Sequence, residues 1–461
     1  MEKVKKIASF FLAMLLTMCG LLMAACATGS ETPGGNGENG GDEGNKPVTP
    51  PVTVERADNN VFLIGSWVSY YSYDIDSHET QMKRLSEAGV NFNCFPSDYD
   101  DNTKRDSLDD WLEIDALCEK YGMFYNLSVD PWNNCEIENM SLNLDIGEKL
   151  AERGKGKYML GYHLWDEPFY NRLDEAADWF HKYLDEDPDH PGFVNLNGSS
   201  GVAGVDMYSY AKHWMELSPE IMFLGYDLYP FANEITYDAN KYLNMEVLRK
   251  VALEAGNVRT HAFVQSTGWT THRMPNFGEI SWDAWGLVAY GFKAFSYFNY
   301  VCPSKAQGEG FFESLINDDG TIPDQQLFDD VADMNWKIRA VGDVLMNYDA
   351  VHAYHSSRNY TGVEYLPSDY FITTNQDKVV ISYFEPKDGT SPNHIMLFNN
   401  SWTDSRSATF SVDQNSGLTK LEYFNPETKR YENVDISSGS FDVNFATGEA
   451  KLYRIRGNVQ G

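Results

Sequence analysis

Tyr158-Met159-Leu160-Gly161-Tyr162-His163-Leu164-Trp165-Asp166-Glu167-Pro168 is an apolar run that ends in two adjacent carboxylates and a proline. Its length and flanks read as a buried strand from Tyr158 to Trp165, with Pro168 unable to continue a ladder. Similar short runs recur before and after it at Val61 to Trp67, Val90 to Phe95, Met123 to Ser128, Gly192 to Leu196, Met222 to Tyr229, Arg259 to Gln265 and Ala294 to Tyr300. Between them lie segments of helical period: Glu79 to Ala88, Leu108 to Tyr121, Leu144 to Arg153, Asp174 to Leu184, Met207 to Leu217, Lys241 to Ala255 and Trp282 to Gly291. The clearest comes last, because Leu327, Val331, Met334, Ile338, Val341 and Leu345 form one apolar stripe from Gln325 to Leu345.

Strands followed eight times by helices are the signature of parallel βα units, and over residues 61–345 they predict an α/β fold, a (β/α)8 TIM barrel. A doubly wound open sheet is the alternative. After Leu345 the pattern shortens to β-rich pieces such as Val379 to Phe384, His394 to Phe398, Ala408 to Val412, Lys420 to Phe424 and Ala450 to Ile455, separated by turn residues. Residues 346–461 therefore read as a small antiparallel β-sandwich domain.

Residues 1–25 begin with Lys3, Lys5 and Lys6, continue through an apolar run from Ile7 to Met23, and end in Ala24-Ala25 before Cys26, which reads as an export signal. Leu22 to Cys26 resembles a bacterial lipobox, implying lipidation at Cys26 and an exported protein anchored at the cell envelope or surface. Residues 26–60, rich in Gly, Pro, Asn and Thr, bury too little apolar surface to order and read as a flexible tether. Membrane contact is expected only through that lipid. The string Gly35 to Gly40 matches G-x-G-x-x-G formally, but no strand precedes it and no helix follows, so no dinucleotide cofactor is expected.

The chain of 461 residues carries 36 basic and 68 acidic side chains, a formal charge of −32. Such a field repels polyphosphate, so nucleic acid is not an expected partner, and a neutral substrate fits better than an anionic one. The cysteines show no C-x-x-C pair, and no H-E-x-x-H or G-x-S-x-G string occurs. Neither a metal nor serine-hydrolase chemistry is expected. His163 with Asp166, or His261 with His272, read better as core or polar-network histidines than as metal ligands. No protein partner is indicated.

On a barrel, reactive groups belong at the C-terminal ends of the strands. Gly161 to Pro168, ending Asp166-Glu167-Pro168, resembles the strand-four motif of clan A glycoside hydrolases. Gly225-Tyr226-Asp227-Leu228-Tyr229-Pro230 is similar to their strand-six sequence, and Trp285 to Ala294 to their last helix and strand. The resemblance implies a carbohydrate substrate and Glu167 as general acid/base. Glycoside hydrolysis needs a proton for the departing oxygen and a second carboxylate for the anomeric carbon or its attacking water. Glu167 beside Asp166 and Trp165 is the acid candidate, while Asp166 also fits a helix cap. At the strand-seven position, where the resemblance implies a nucleophilic Glu, the chain has Gln265, and an amide carries no negative charge.

Three readings stay open. The second carboxylate is Asp227, or behind it Glu279; it is an acid not yet identified; or the barrel binds sugar without cutting it, as a carbohydrate-binding surface lipoprotein. Sugars stack their C–H faces on aromatic rings. Trp67, Tyr70, Tyr71, Trp132, Trp165, Tyr229, Trp269 and Tyr300 all fall at or just past predicted strand ends, and of these Trp67, Trp165, Tyr229, Trp269 and Tyr300, with Gln265, make up the expected substrate contacts.

Overall fold

In a computed structural model of the chain, the described residues are 54–67, 75–94, 108–128, 146–198, 204–234, 238–256, 258–302, 310–317 and 319–459. The export signal, Cys26, tether residues 27–53, Tyr70, Tyr71 and Trp132 lie outside them.

Eight strands close a barrel: β1 (Leu63–Trp67), β2 (Phe92–Cys94), β3 (Phe124–Ser128), β4 (Met159–Asp166), β5 (Gly192–Asn197), β6 (Leu224–Asp227), β7 (Thr260–Gln265) and β8 (Ala294–Phe298). Neighbours pair in parallel, and β8 returns to β1 with Leu63 opposite Ala294. The open sheet is thereby ruled out. Helices follow the strands in turn: α1 (Ile75–Glu87), α2 (Leu108–Tyr121), α3 (Ile146–Glu152), α4 (Leu173–Glu186), α5 (Met207–Leu217), α6 (Asp238–Glu254), α7 (Phe277–Ala289) and α8 (Gln325–Leu345).

The strands are apolar on both faces because each face is covered. Successive residues enter different cores: Leu63, Phe92, Phe124, Phe193, Phe223 and Phe263 fill the barrel interior, whereas Ile64, Val194, Leu224 and Val264 pack outward against the helices. Local chemistry sets the helix ends. Asp206 caps α5 by accepting from the Ser209 amide at 3.0 Å, and Asn276 and Glu279 form a reciprocal capping box at the start of α7. Gly342 lets α8 lie against the barrel, since a Cβ there would stand 2.3 Å from the Phe62 ring.

The C-terminal part holds β9 (Tyr348–His355), β10 (Glu364–Tyr365), β11 (Ile372–Thr373), β12 (Val379–Pro386), β13 (His394–Asn399), β14 (Arg406–Val412), β15 (Leu418–Asn425), β16 (Arg430–Val434), β17 (Ser440–Phe445) and β18 (Ala450–Gly457). They make a seven-stranded sheet in the order β10-β9-β12-β13-β18-β15-β16 and a three-stranded sheet β11-β14-β17, antiparallel apart from the β9–β10 pair. One face of β12 (Val379, Ile381, Tyr383) meets the small sheet; the other (Val380, Phe384) joins the core around the barrel helices. The sandwich is thus clamped onto the barrel by a shared core. At that seam Asn400 Oδ1 accepts from Trp282 Nε1 at 2.7 Å and from the Tyr242 hydroxyl.

Candidate active site

The site begins with an irregularity in β4. Its register against β5 shifts between His163 and Trp165, so that Trp165 lies opposite Val194 and Asp166 opposite Asn195. A bulge of this kind re-aims the side chains that follow it. Asn195 then fixes both acidic residues: its amide donates to Asp166 Oδ1 at 3.0 Å, and its carbonyl accepts from the Glu167 amide at 2.9 Å. Glu167 has φ of 48°, a left-handed conformation uncommon for a side chain of its size. Directly before a proline this geometry is held rather than relaxed into. Tyr210 contributes to the hold by donating its hydroxyl to the Pro168 carbonyl.

Two strands along from β4, the last residue of β6 is Asp227, 9% exposed. Its Oδ1 atom has no hydrogen-bond partner, and Glu167, Asp166 and the Tyr229 hydroxyl lie near enough to the carboxyl to influence its ionisation. Burial holds the Asp227 carboxyl well above the ordinary carboxylate range, and repulsion from Glu167 and then Asp166 adds to it. The cluster therefore carries a proton on Asp227 at pH values where an exposed carboxyl has lost its own.

An aromatic wall stands beside the carboxyls. Tyr229 packs edge-on against Trp269 with ring centroids 5.4 Å apart and lies at a shallow tilt on Phe298 at 4.8 Å; Trp269 stacks on His272 at 4.0 Å. Trp269 and His272 face each other because their backbones exchange two hydrogen bonds of 2.9 Å in a tight turn. Burial pushes the His272 imidazole down to about 4, so it is neutral at physiological pH.

Beneath lies the barrel floor. Trp67 meets His163 at 4.9 Å and Phe263 at 5.2 Å, and His261 Nε2 pairs with Ser296 Oγ at 2.9 Å. Desolvation pushes both histidines down to about 3, making them neutral core groups. Among the described residues no group of three His, Cys, Asp or Glu side chains is arranged to hold a metal ion.

Asp166, Glu167, Asp227, Tyr229 and Trp269 thus come together at the barrel mouth, and Trp67 forms part of its floor. Three other expected contacts sit elsewhere. Trp165, 3% exposed, packs in the core outside the barrel beneath the Arg172 guanidinium, 4.5 Å from the ring. Tyr300 is fully buried against Tyr297 and Phe328. Gln265 is also fully buried: Oε1 accepts from the Phe231 amide at 2.9 Å and Nε2 donates to the Arg273 carbonyl at 2.9 Å. Its amide ties two loops together and has no face for a sugar. Glu279 is committed as well, held by Arg273 Nη1 at 2.7 Å and by the cap of α7. Asn195, Tyr210 and Phe298 belong to the site without having been singled out in the sequence, and His272, read there as a core or polar-network histidine, stacks on Trp269 in its wall. Only Asn195, a polar residue near the end of an apolar strand, carried a local signal.

No family profile matches the sequence, and no curated protein matches it. Solved structures match it in shape. A catalytic mutant of Gan42B, a GH42 β-galactosidase from G. stearothermophilus, aligns with a TM-score of 0.56 at 9% identity, covering 87% of this chain and 100% of that one. A β-galactosidase from Bacillus circulans sp. alkalophilus aligns with a TM-score of 0.58 at 9% identity, covering 86% of this chain and 99% of that one. At such identities the likeness is one of fold. The chain has the parallel barrel and appended β-sheets of its clan A glycosidase neighbours.

Proposed function

We propose that this protein is a glycosidase acting on an extracellular poly- or oligosaccharide, with Glu167 as general acid/base, displayed at the cell envelope through a lipid on Cys26. The observation that carries the reading is Glu167 itself: held in a left-handed backbone just past β4, near the buried Asp227 whose carboxyl is held high, and beside the wall of Tyr229, Trp269 and Phe298. A proton donor next to a proton reserve and an aromatic face is what cleavage of an acetal requires. Asp227 restores the proton that Glu167 delivers. The charge of −32 favours neutral glycans over anionic ones.

The test exploits leaving-group chemistry. Glu167→Gln lowers kcat/KM by about 10²–10⁴-fold on glycosides whose leaving group needs a proton. It spares dinitrophenyl glycosides, whose leaving group departs as a stable anion. An equal loss on both kinds, or none, contradicts the acid role. A second reading is favoured by one observation, the uncharged Gln265 at the end of β7: capture of glycans without cleavage, in which case wild-type protein binds and releases nothing.

A further inference from the structure

At the end of the barrel opposite the mouth, a cleft of about 230 Å³ lies between the strand starts and the appended sheet. Its walls include Arg249 from α6, Arg259 and Lys293 from just before β7 and β8, and Lys387 from just past β12, against one acidic side chain, Asp349 of β9. Four cations to one acid reverse the balance of a chain with 36 basic and 68 acidic residues. Backbone pairing sets two of those cations on adjoining strands: the Lys293 amide donates to the Thr260 carbonyl at 3.2 Å, so the starts of β7 and β8 lie together. Gly291 then lets β9 close over them, since a Cβ there would stand 2.4 Å from that of Ala350.

The four cations differ in what balances them. Arg249 is held by Glu246 at 2.6 Å, and Lys387 has Asp349 at 3.9 Å. Among the described residues, Arg259 and Lys293 have no carboxylate at ion-pair distance. Lys293 Nζ donates to the Leu345 and Tyr348 carbonyls, and Arg259 Nη2 to those of Asn59 and Val61. These bonds fix the two groups in place without neutralising them, and they leave donors to spare, one on the ammonium and the Nε and Nη1 hydrogens of the guanidinium. Lys293 is 7% exposed; burial, with Lys387 and Arg259 nearby, pushes its ammonium down to about 7. A buried cation in this position is favoured by a counter-charge brought into the cleft. We propose that the cleft binds a phosphate group, as the free ion or as a small phosphate monoester, between Arg259, Lys293 and Lys387. Two unbalanced cations match the charge that a phosphate carries near neutral pH, and guanidinium N–H groups suit its oxygens. The volume fits such a group and not a polymer. Because barrel and sheet both line the cleft, the anion ties the starts of β7 and β8 to β9. The site lies at the end away from Glu167 and is independent of the glycosidase reading.

The experiment follows thermal unfolding of the full chain in inorganic phosphate, in glycerol phosphate and in chloride, at one pH and one ionic strength. A phosphate-class anion should raise the melting temperature in a saturable way and chloride should not, because a ligand of the folded state shifts the midpoint with its own concentration. Lys387→Glu changes an exposed residue at the rim, so the fold survives it, and should raise the half-saturating concentration about tenfold or more. Lys83→Glu, on α1 and outside the cleft, should leave that concentration unchanged. Tighter saturation by inorganic phosphate supports the free ion as ligand, and tighter saturation by glycerol phosphate supports a monoester. A response to phosphate no greater than to chloride, or a phosphate response that Lys387→Glu leaves as it is in the wild type, overturns the proposal.

Discussion

Glu167, just past β4, and Asp227, at the end of β6, belong to strands two apart in the barrel, and after burial the repulsion of Glu167 is what holds the Asp227 carboxyl high. The consequence for stability has a definite sign. Asp227 is raised in the folded protein relative to the unfolded chain, so its favourable contribution is complete below the ordinary carboxylate range and is lost as pH rises toward its folded value. Asp227→Asn removes that loss. The melting temperature of the variant minus that of the wild type should therefore increase between about pH 5 and pH 8, the range above the ordinary carboxylate value. A constant difference would place Asp227 in water. Gln265 makes the opposite case, since restoring a carboxylate there does not restore a nucleophile. In Gln265→Glu an oxygen replaces the nitrogen that donates to Arg273, at the cost of an unpaired buried charge facing carbonyls. A destabilisation of roughly 3–5 kcal/mol by chemical denaturation is expected, without gain of activity. At this scale the sequence disclosed which residues are acidic and at which strand ends, and Glu167, Asp166 and Asp227 meet accordingly. It did not disclose that Trp165 turns outward, because the register shift in β4 leaves no mark in an apolar run.

At the scale of the element, legibility followed periodicity. The bounds of α2, α5 and α8 coincide with the stretches read from the sequence, since each has an apolar stripe and a clear stop or start. In the C-terminal sheets, β9 escaped notice because its pairing shifts between Ala350 and His352, breaking the alternation, and β16 because it is an edge strand with no buried residue. In β17, by contrast, Phe441, Val443 and Phe445 do alternate with polar residues, a signal that was present. The packing of α8 on the barrel depends on a missing side chain. Gly342→Ala puts a methyl group into the Phe62 ring and should cost about 1–3 kcal/mol, overriding the gain in helix propensity. Urea unfolding measures it; a stabilised variant would mean that the helix stands off from β1.

For the whole molecule, the appended sheets are part of the barrel's core, with Val380, Phe384, Met396 and Phe398 continuing the cluster that contains Trp282 and Leu287. Asn400→Ala strands the Trp282 indole N–H and the Tyr242 hydroxyl at that seam, each such loss costing about 1–3 kcal/mol. Calorimetry should show a single transition moved to lower temperature, and two separated transitions would show that barrel and sheets unfold independently. The alternation of strands and helices foretold the barrel, whereas this seam was invisible, because contacts such as Tyr242 with Asn400 join residues far apart in the chain. What the assembled molecule does is most directly measured by product release. Wild-type protein and Glu167→Gln are incubated with a panel of neutral glycans, and new reducing ends and binding are quantified side by side. Release by the wild type alone, with the variant still binding the cleaved glycan, is the predicted result; equal release by both, or binding by the wild type with no release from any glycan, would contradict it.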